Sequence, residues 1–267
     1  IAGARKCSDP SKENLEKAVL SVKVCDPAAG SGHFLLAAAR TIAWYLARTR
    51  TGEENPPPSE YRNALREAIQ HCVYGVDLNP DAVELCKLAL WLESHNSGKP
   101  LSFLDHKIRC GNSLVGVQDL NVLSEPIPDE AFNPTTGDDP KVCKDLKRRN
   151  KEFRKTRQAS LFSAYGQQAS QDDKALIADY TALDGIEQNT LEAVDEIRKR
   201  FGKIRTNLYH KGSACNIWTS AFFQTYVSVE EPGNPSSEKL AQFFHAPTQY
   251  GRLVGQSTAL AMHYRFF

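Results

Sequence analysis

Several things are scarce or missing in this chain, and each absence removes a class of protein. No stretch of the 267 residues approaches the ~20 consecutive apolar residues that a membrane-crossing helix needs. The amino end carries no basic segment followed by an apolar run and a small-residue cleavage site, so nothing marks it for export. The seven cysteines (Cys7, Cys25, Cys72, Cys86, Cys110, Cys143 and Cys215) are odd in number and include no C-x-x-C pair. That pattern argues against a disulfide framework and against a zinc site. Net charge is nearly absent, at +1, so any affinity for nucleic acid must come from a local cluster. A cytoplasmic protein is the expectation. Methionine occurs once, as Met262, and position 1 is isoleucine, so the chain reads as a piece excised from a longer one.

What is present is ordinary for a folded protein. Apolar residues make up 41% and charged residues 24% of the chain, which fits neither a disordered nor a membrane-embedded class. The length suits one α/β core plus an insertion or second module. Val22 to Cys25 is a short apolar run ending at Asp26-Pro27, followed by the small-residue turn Ala28-Ala29-Gly30-Ser31-Gly32. From Phe34, residues Leu35, Leu36, Ala38, Ala39, Ile42, Ala43 and Leu46 recur at helical spacing, with Gly52 as a stop. Glu53 to Ser59 contains three consecutive prolines and reads as a loop, and Tyr61 to Gln70 as a second amphipathic helix. Cys72 to Asp77 is the next strand. Asn79 then suits an N-cap with Pro80 at the first helical position, and that helix runs to about His95. Ile108 to Cys110, leading into Gly111-Asn112-Ser113, is a third strand.

Strands alternating with helices imply an α/β fold with a doubly wound parallel sheet, whose ligands sit beyond the carboxyl ends of the strands. Asp26, Asp77 and Asn112 all fall at those ends. Beyond about Gln118 the alternation stops. An acidic, Pro-rich stretch to Pro140 precedes a basic segment, a Ser/Gln/Ala-rich connector from Ser160 to Gln171, and a helix with Val194, Ile197, Phe201 and Ile204 on one stripe. The expected division is 1–117 for the sheet-bearing part and 118–267 for a mainly helical insertion or subdomain.

The turn at Gly30-Ser31-Gly32 lets backbone amides approach a ligand at a helix amino terminus, because glycine removes the side-chain clash. A nicotinamide-type fingerprint needs Gly or Ala where this chain has Leu35, and a P-loop needs Gly-Lys-Ser/Thr where it has His33-Phe34-Leu35. Both are disfavoured. Asp26, directly ahead of the glycines, would repel a pyrophosphate but attract the ammonium and sulfonium of S-adenosylmethionine. Asp77 can accept both ribose hydroxyls, as an acidic residue does in this class of sheet. Asn112 can pair with an adenine edge. His33 is given no role, and Phe34 reads as a core residue, with pocket lining as the alternative.

Three motifs in order, Asp26-Pro27-Ala28-Ala29-Gly30-Ser31-Gly32-His33-Phe34-Leu35-Leu36, then Tyr74-Gly75-Val76-Asp77-Leu78-Asn79-Pro80, then Ile108-Arg109-Cys110-Gly111-Asn112-Ser113-Leu114, resemble motifs I to III of gamma-type DNA adenine-N6 methyltransferases. The form resembles those of type IIG restriction-modification and BREX phage-defence systems, and covers roughly Val22 to Gly116. The resemblance implies S-adenosylmethionine as cofactor. It places Asp26, Pro27, Ala28, Gly30, Ser31 and Gly32 at the methionine end, Asp77 at the ribose, and Leu78, Asn112 and Leu114 at the adenine. It also implies double-stranded DNA as partner and base flipping of the target adenine.

The chain departs from that pattern in three places. Ala29 stands where many relatives have cysteine, and the motif that precedes motif I is not visible in Ile1 to Ser21. The catalytic Asn-Pro-Pro-aromatic motif is absent. Asn55-Pro56-Pro57-Pro58 precedes the second strand and ends in proline, so it reads as a loop; the resemblance places the true motif beyond Phe267. No catalytic residue is therefore assigned, and the chain alone is expected to bind without transferring a methyl group.

Lys141 to Arg157 holds nine Lys or Arg against two acidic residues. That segment reads either as a solvated helix face or as a DNA-backbone contact, with Lys147, Arg148 and Arg149 as the positions to test. Two other functions stay open: a non-catalytic methyltransferase-like scaffold or sensor module, and protein glutamine methylation.

Overall fold

A computed structural model of the protein describes residues 12–155 and 175–265; the connector expected at Ser160 to Gln171 lies outside them. Helix α1 (Lys12–Leu20) leads into β1 (Val24–Asp26), α2 (His33–Thr51), α3 (Pro58–His71), β2 (Val73–Asp77), α4 (Pro80–Glu93) and β3 (Ile108–Cys110). Each boundary has a local cause. α2 ends at Gly52, whose φ of 74° lets its amide reach back to the Arg48 carbonyl, a left-handed cap that glycine adopts without a Cβ penalty. α3 starts at the third proline, Pro58, because the first helical position needs no amide partner. At α4 the Asn79 side chain accepts from the Asp81 amide at 3.0 Å, and Pro80 follows it as the sequence suggests.

The three strands are parallel and lie in the order β1-β2-β3. Among the described residues they form three strands in sequence order; the reversal of strand order that would make the sheet doubly wound is not among them. Behind the sheet, α2 buries Leu35, Ala39, Ile42, Ala43, Leu46 and Ala47 along one face. These pack with Ala64, Leu65, Ala68 and Ile69 of α3 and with Val83, Cys86 and Leu90 of α4 in a single apolar core. Arg50 of α2 ties three helices together: its guanidinium forks onto both oxygens of Glu67 at 2.7 and 2.6 Å, and its Nε reaches Glu16 at 3.0 Å.

The described residues divide into two compact units, 12–113 with 180–202, and 114–155 and 175–179 with 203–265. The return of 180–202 to the first unit rests on polar anchors. Asp184, at the end of the helical stretch α6 (described over 175–184), accepts from Lys107 at 2.6 Å, the Tyr74 hydroxyl at 2.8 Å and Lys23 at 3.3 Å. Gln188 accepts the Phe103 amide at 2.6 Å, and its carbonyl takes a 2.8 Å bond from Arg66. Phe201, on α7 (Leu191–Asn207), meets Phe103 edge-on at 5.7 Å. The stripe of Val194, Ile197, Phe201 and Ile204 is buried.

The second unit is helical. α5 (Pro140–Lys155), α8 (Tyr209–Ser220), α9 (Ser237–His245) and α10 (Gly251–Tyr264) contribute to a core that includes Cys143, Leu146, Phe153, Ile217, Tyr226, Leu240, Phe243 and Leu253. The buried Tyr226 hydroxyl donates to the Ala221 carbonyl at 2.8 Å, and Asn150 donates to Ile127 and Asp129 at 3.0 and 2.8 Å. These bonds meet the requirement that buried polar groups find partners. No helix among the described residues is long and apolar enough to cross a membrane.

Candidate functional site

Because the strands are parallel, their carboxyl ends lie along one edge, where Asp26 stands opposite Gly75 and Asp77 opposite Cys110. The turn after β1 folds down over the end of β2. The Ala29 amide donates to the Val76 carbonyl at 2.9 Å, and the Gly30 amide donates to Asp77 Oδ2 at 2.8 Å. Asp77 Oδ1 accepts the Asn79 amide at 2.8 Å, so one carboxylate holds both the glycine turn and the approach to α4. Asp26 Oδ1 accepts the Ala28 amide at 3.0 Å, an Asx turn that fixes the first residues of the loop. From β3, the Gly111 amide donates to the Asp77 carbonyl at 3.0 Å, which brings the start of Gly111-Asn112-Ser113 to the same edge.

The glycines are required for two distinct reasons. Gly30 and Gly32 have φ of 53° and 89°, in the left-handed region that other residues avoid. A Cβ on Gly32 would lie 2.7 Å from Cys86 Sγ, whereas a Cβ on Gly30 would meet nothing within 4 Å. The turn is therefore packed tightly on its inner side and open at Gly30. Gly75 has an ordinary extended backbone, but a Cβ there would stand 2.9 Å from Leu35 Cδ1 and 3.0 Å from Ala29 Cβ. Sequence reading passes over Gly75 and Cys86, because their constraint comes from residues far along the chain.

Burial pushes the Cys86 thiol up to about 11, with the charges of Asp26 and then Asp77 adding to the effect. The thiol stays protonated and serves as a small apolar filler under the turn.

The expected site residues thus have definite places. Asp26 ends β1 and Pro27, Ala28, Gly30, Ser31 and Gly32 form the loop beyond it, Asp77 ends β2 with Leu78 just past it, and Asn112 follows β3. Leu78 is exposed, and Leu114 is 86% exposed and opens the second unit. Phe34, read from the sequence as core, is 60% exposed; in the first turn of α2 it points away from the buried stripe that begins at Leu35. The Ser31 hydroxyl lies 3.0 Å from His33 Nδ1.

The arrangement suits a ligand with cationic and hydroxyl-bearing parts. Each oxygen of Asp77 has one backbone donor, which leaves lone pairs for hydroxyl groups. A Cβ on Gly30 would meet nothing within 4 Å, and its amide is held by the Asp77 carboxylate. A hollow of about 290 Å³ in the second unit, lined by residues including Leu146, Asn150, Phe153 and Lys239, is less suited to chemistry. There Lys239 spends its donors on the carbonyls of Glu231, Pro232 and Asn234.

Comparison with known proteins gives two relatives of note. The chain is 34% identical over 116 residues, 38% of its length, to a putative type II restriction enzyme and methyltransferase of Methanocaldococcus jannaschii. It is 39% identical over 69 residues, 26% of its length, to the adenine-specific methyltransferase PglX of Streptomyces coelicolor. The matches span only 9% and 5% of those two proteins. No family model matches the chain, and no solved structure does. Over the part that aligns, the chain is similar to proteins named as methyltransferases, one of them adenine-specific.

Proposed function

We propose that the chain is the cofactor-binding part of an S-adenosylmethionine-dependent DNA methyltransferase, acting on adenine N6 in a restriction-modification or phage-defence system. The observation that carries this reading is the 2.8 Å bond from the Gly30 amide to Asp77, which ties the glycine turn to the end of the second strand. The names of the two relatives support the same reaction class.

S-adenosylmethionine, when bound, supplies an electrophilic methyl group on its sulfonium. The chain's own residues bind and orient it. Asp26 presents negative charge to the amino-acid end, and the amides and small side chains of Pro27 to Gly32 let that end approach closely. Asp77 accepts the ribose hydroxyls on its remaining lone pairs, and Leu78 and Asn112 flank the adenine. Leu114, two residues past Asn112, is assigned to the adenine with them. No Asn-Pro-Pro-aromatic run occurs in the 267 residues, so the group that would align the target amine is not among them. Alignment of that kind supplies much of the rate in such transfers.

Calorimetric titration tests the proposal. S-adenosylmethionine and S-adenosylhomocysteine should give saturable heats and NAD none. Asp77→Asn should weaken both by about tenfold, the ~1.4 kcal/mol expected for one lost hydrogen bond to a charged group. Saturable heats with NAD and none with S-adenosylmethionine would overturn it.

A further inference from the structure

α5 carries two faces of opposite character. Cys143, Leu146, Asn150 and Phe153 are buried, and at ~100° per residue they occupy one arc of the helix. Lys141, Lys144, Lys151 and Lys155 are exposed and fall within about 80° of arc on the other side by the same spacing.

The cations of α5 divide just as sharply by partner. Lys147 donates to Asn133 at 2.7 Å, Arg149 to Asp145 at 2.9 Å and Glu230 at 3.1 Å, and Arg154 lies 3.7 Å from Asp129. Arg148 takes up both acidic residues of the helix, Asp145 at 2.5 Å and Glu152 at 2.9 Å. The ammonium groups of Lys141, Lys144, Lys151 and Lys155 make no ion pair or hydrogen bond among the described residues. Neutralising the two carboxylates internally leaves a stripe of four ammonium groups that have no partner among the described residues.

We infer that this lysine stripe is a docking surface for the phosphate backbone of duplex DNA. The fourteen steps from Lys141 to Lys155 span about 21 Å at 1.5 Å rise each, a length of duplex axis over which one strand carries about six phosphates. A membrane is a poor match: none of the exposed large hydrophobic residues lies on α5, and its apolar face is spent on the core, whereas an interfacial helix needs that face free. Ammonium groups on flexible stems meet phosphates as point charges, so the stripe adds affinity and orientation and reads no sequence. The positions singled out by charge density alone, Lys147, Arg148 and Arg149, are the ones already engaged. Arg157 lies outside the described residues.

The choice of DNA rests on the methyltransferase reading, so the two are tested side by side on the 267-residue chain. Anisotropy of a labelled mixed-sequence 20-base-pair duplex is measured across salt for the parent chain and two variants. One replaces Lys141, Lys144, Lys151 and Lys155 by Gln; the other replaces Lys12, Lys199, Lys203 and Arg205 by Gln as a charge-matched control. The stripe variant should lose more than tenfold in affinity at low salt, and its log–log salt slope should fall by about 3 to 4, near 0.9 for each phosphate no longer neutralised. The control should stay within threefold.

Equal losses in both variants would overturn the inference, because total charge would then suffice. So would equal binding of poly-glutamate and duplex by the parent. Heats with S-adenosylmethionine should be the same in the stripe variant. A chain that binds duplex through the stripe but takes no cofactor would sink the methyltransferase reading and leave the docking surface standing.

Discussion

Asp184 gathers more polar partners than any other carboxylate of the first unit, and it shows how a single side chain can hold a distant segment. Burial alone would raise its carboxyl, but His106, Lys107 and Tyr74 outweigh burial and hold it far below the ordinary range. Burial also pulls the Lys107 ammonium down while Asp184 pulls it up; with Lys107, Tyr74 and Lys23 all donating to one carboxylate, the pair is ionic. Asp184→Asn would leave the Lys107 side chain, 1% exposed, without its counter-charge, at a cost of about 3 kcal/mol by urea unfolding at pH 7. Since the folded-state value lies below the unfolded one, the stabilisation is full above about pH 4 and fades as pH falls toward the depressed value. Stability of the parent should therefore drop more steeply below about pH 4 than that of the variant. At the candidate site, Gly32→Ala should cost about 1–3 kcal/mol in strain plus the clash with Cys86. Gly30→Ala, with open space around it, should cost about 1–2 kcal/mol. Thermal melts of the two variants should rank them in that order. Gly30, Gly32 and Asp77 were legible because residue type alone announces a positive φ or a charge at a strand end. Gly75, Cys86 and Asp184 were not, since nothing local distinguishes them and their partners are remote.

At the scale of elements, the apolar periodicity located α2, α4, β2 and β3 within a residue or two, because each buries one face against the same core. The proline run misled at α3: Pro58 opens the helix three residues before the expected Tyr61, as proline at a first position can. Arg50 offers a test of how these helices are fastened. Arg50→Lys keeps the charge but loses the planar fork onto Glu67, and should lower stability by about 1–2 kcal/mol in thermal melts; an unchanged midpoint would show that apolar packing alone fastens α1, α2 and α3. The basic segment did prove to be a helix, yet its sequence could not say which cations are engaged. That depended on Asn133, Asp129 and Glu230, contributed from other elements. The return of 180–202 was likewise invisible, because its anchors are single polar residues without periodicity.

For the molecule as a whole, the two apolar cores share no residue, and each proposed activity draws on one unit: the strand-end loops on the first, the lysine stripe of α5 on the second. Differential scanning calorimetry with S-adenosylhomocysteine at about 100 times its Kd should stabilise the first unit by about 2.7 kcal/mol. Variants at Asp77 and along α5 should combine additively within about 0.5 kcal/mol; a larger coupling would mean that one activity reaches into the other unit. The sheet was the least complete of the expectations: three strands in order β1-β2-β3 establish a parallel α/β core and stop short of a strand-order reversal. One consequence follows from the carboxylate that clasps both the glycine turn and Asn79. Both bonds run from backbone amides to one side chain, so Asp77→Ala should release the glycine turn and the entry to α4 together. Amide hydrogen exchange at Gly30 and Asn79 should then quicken in step in that variant.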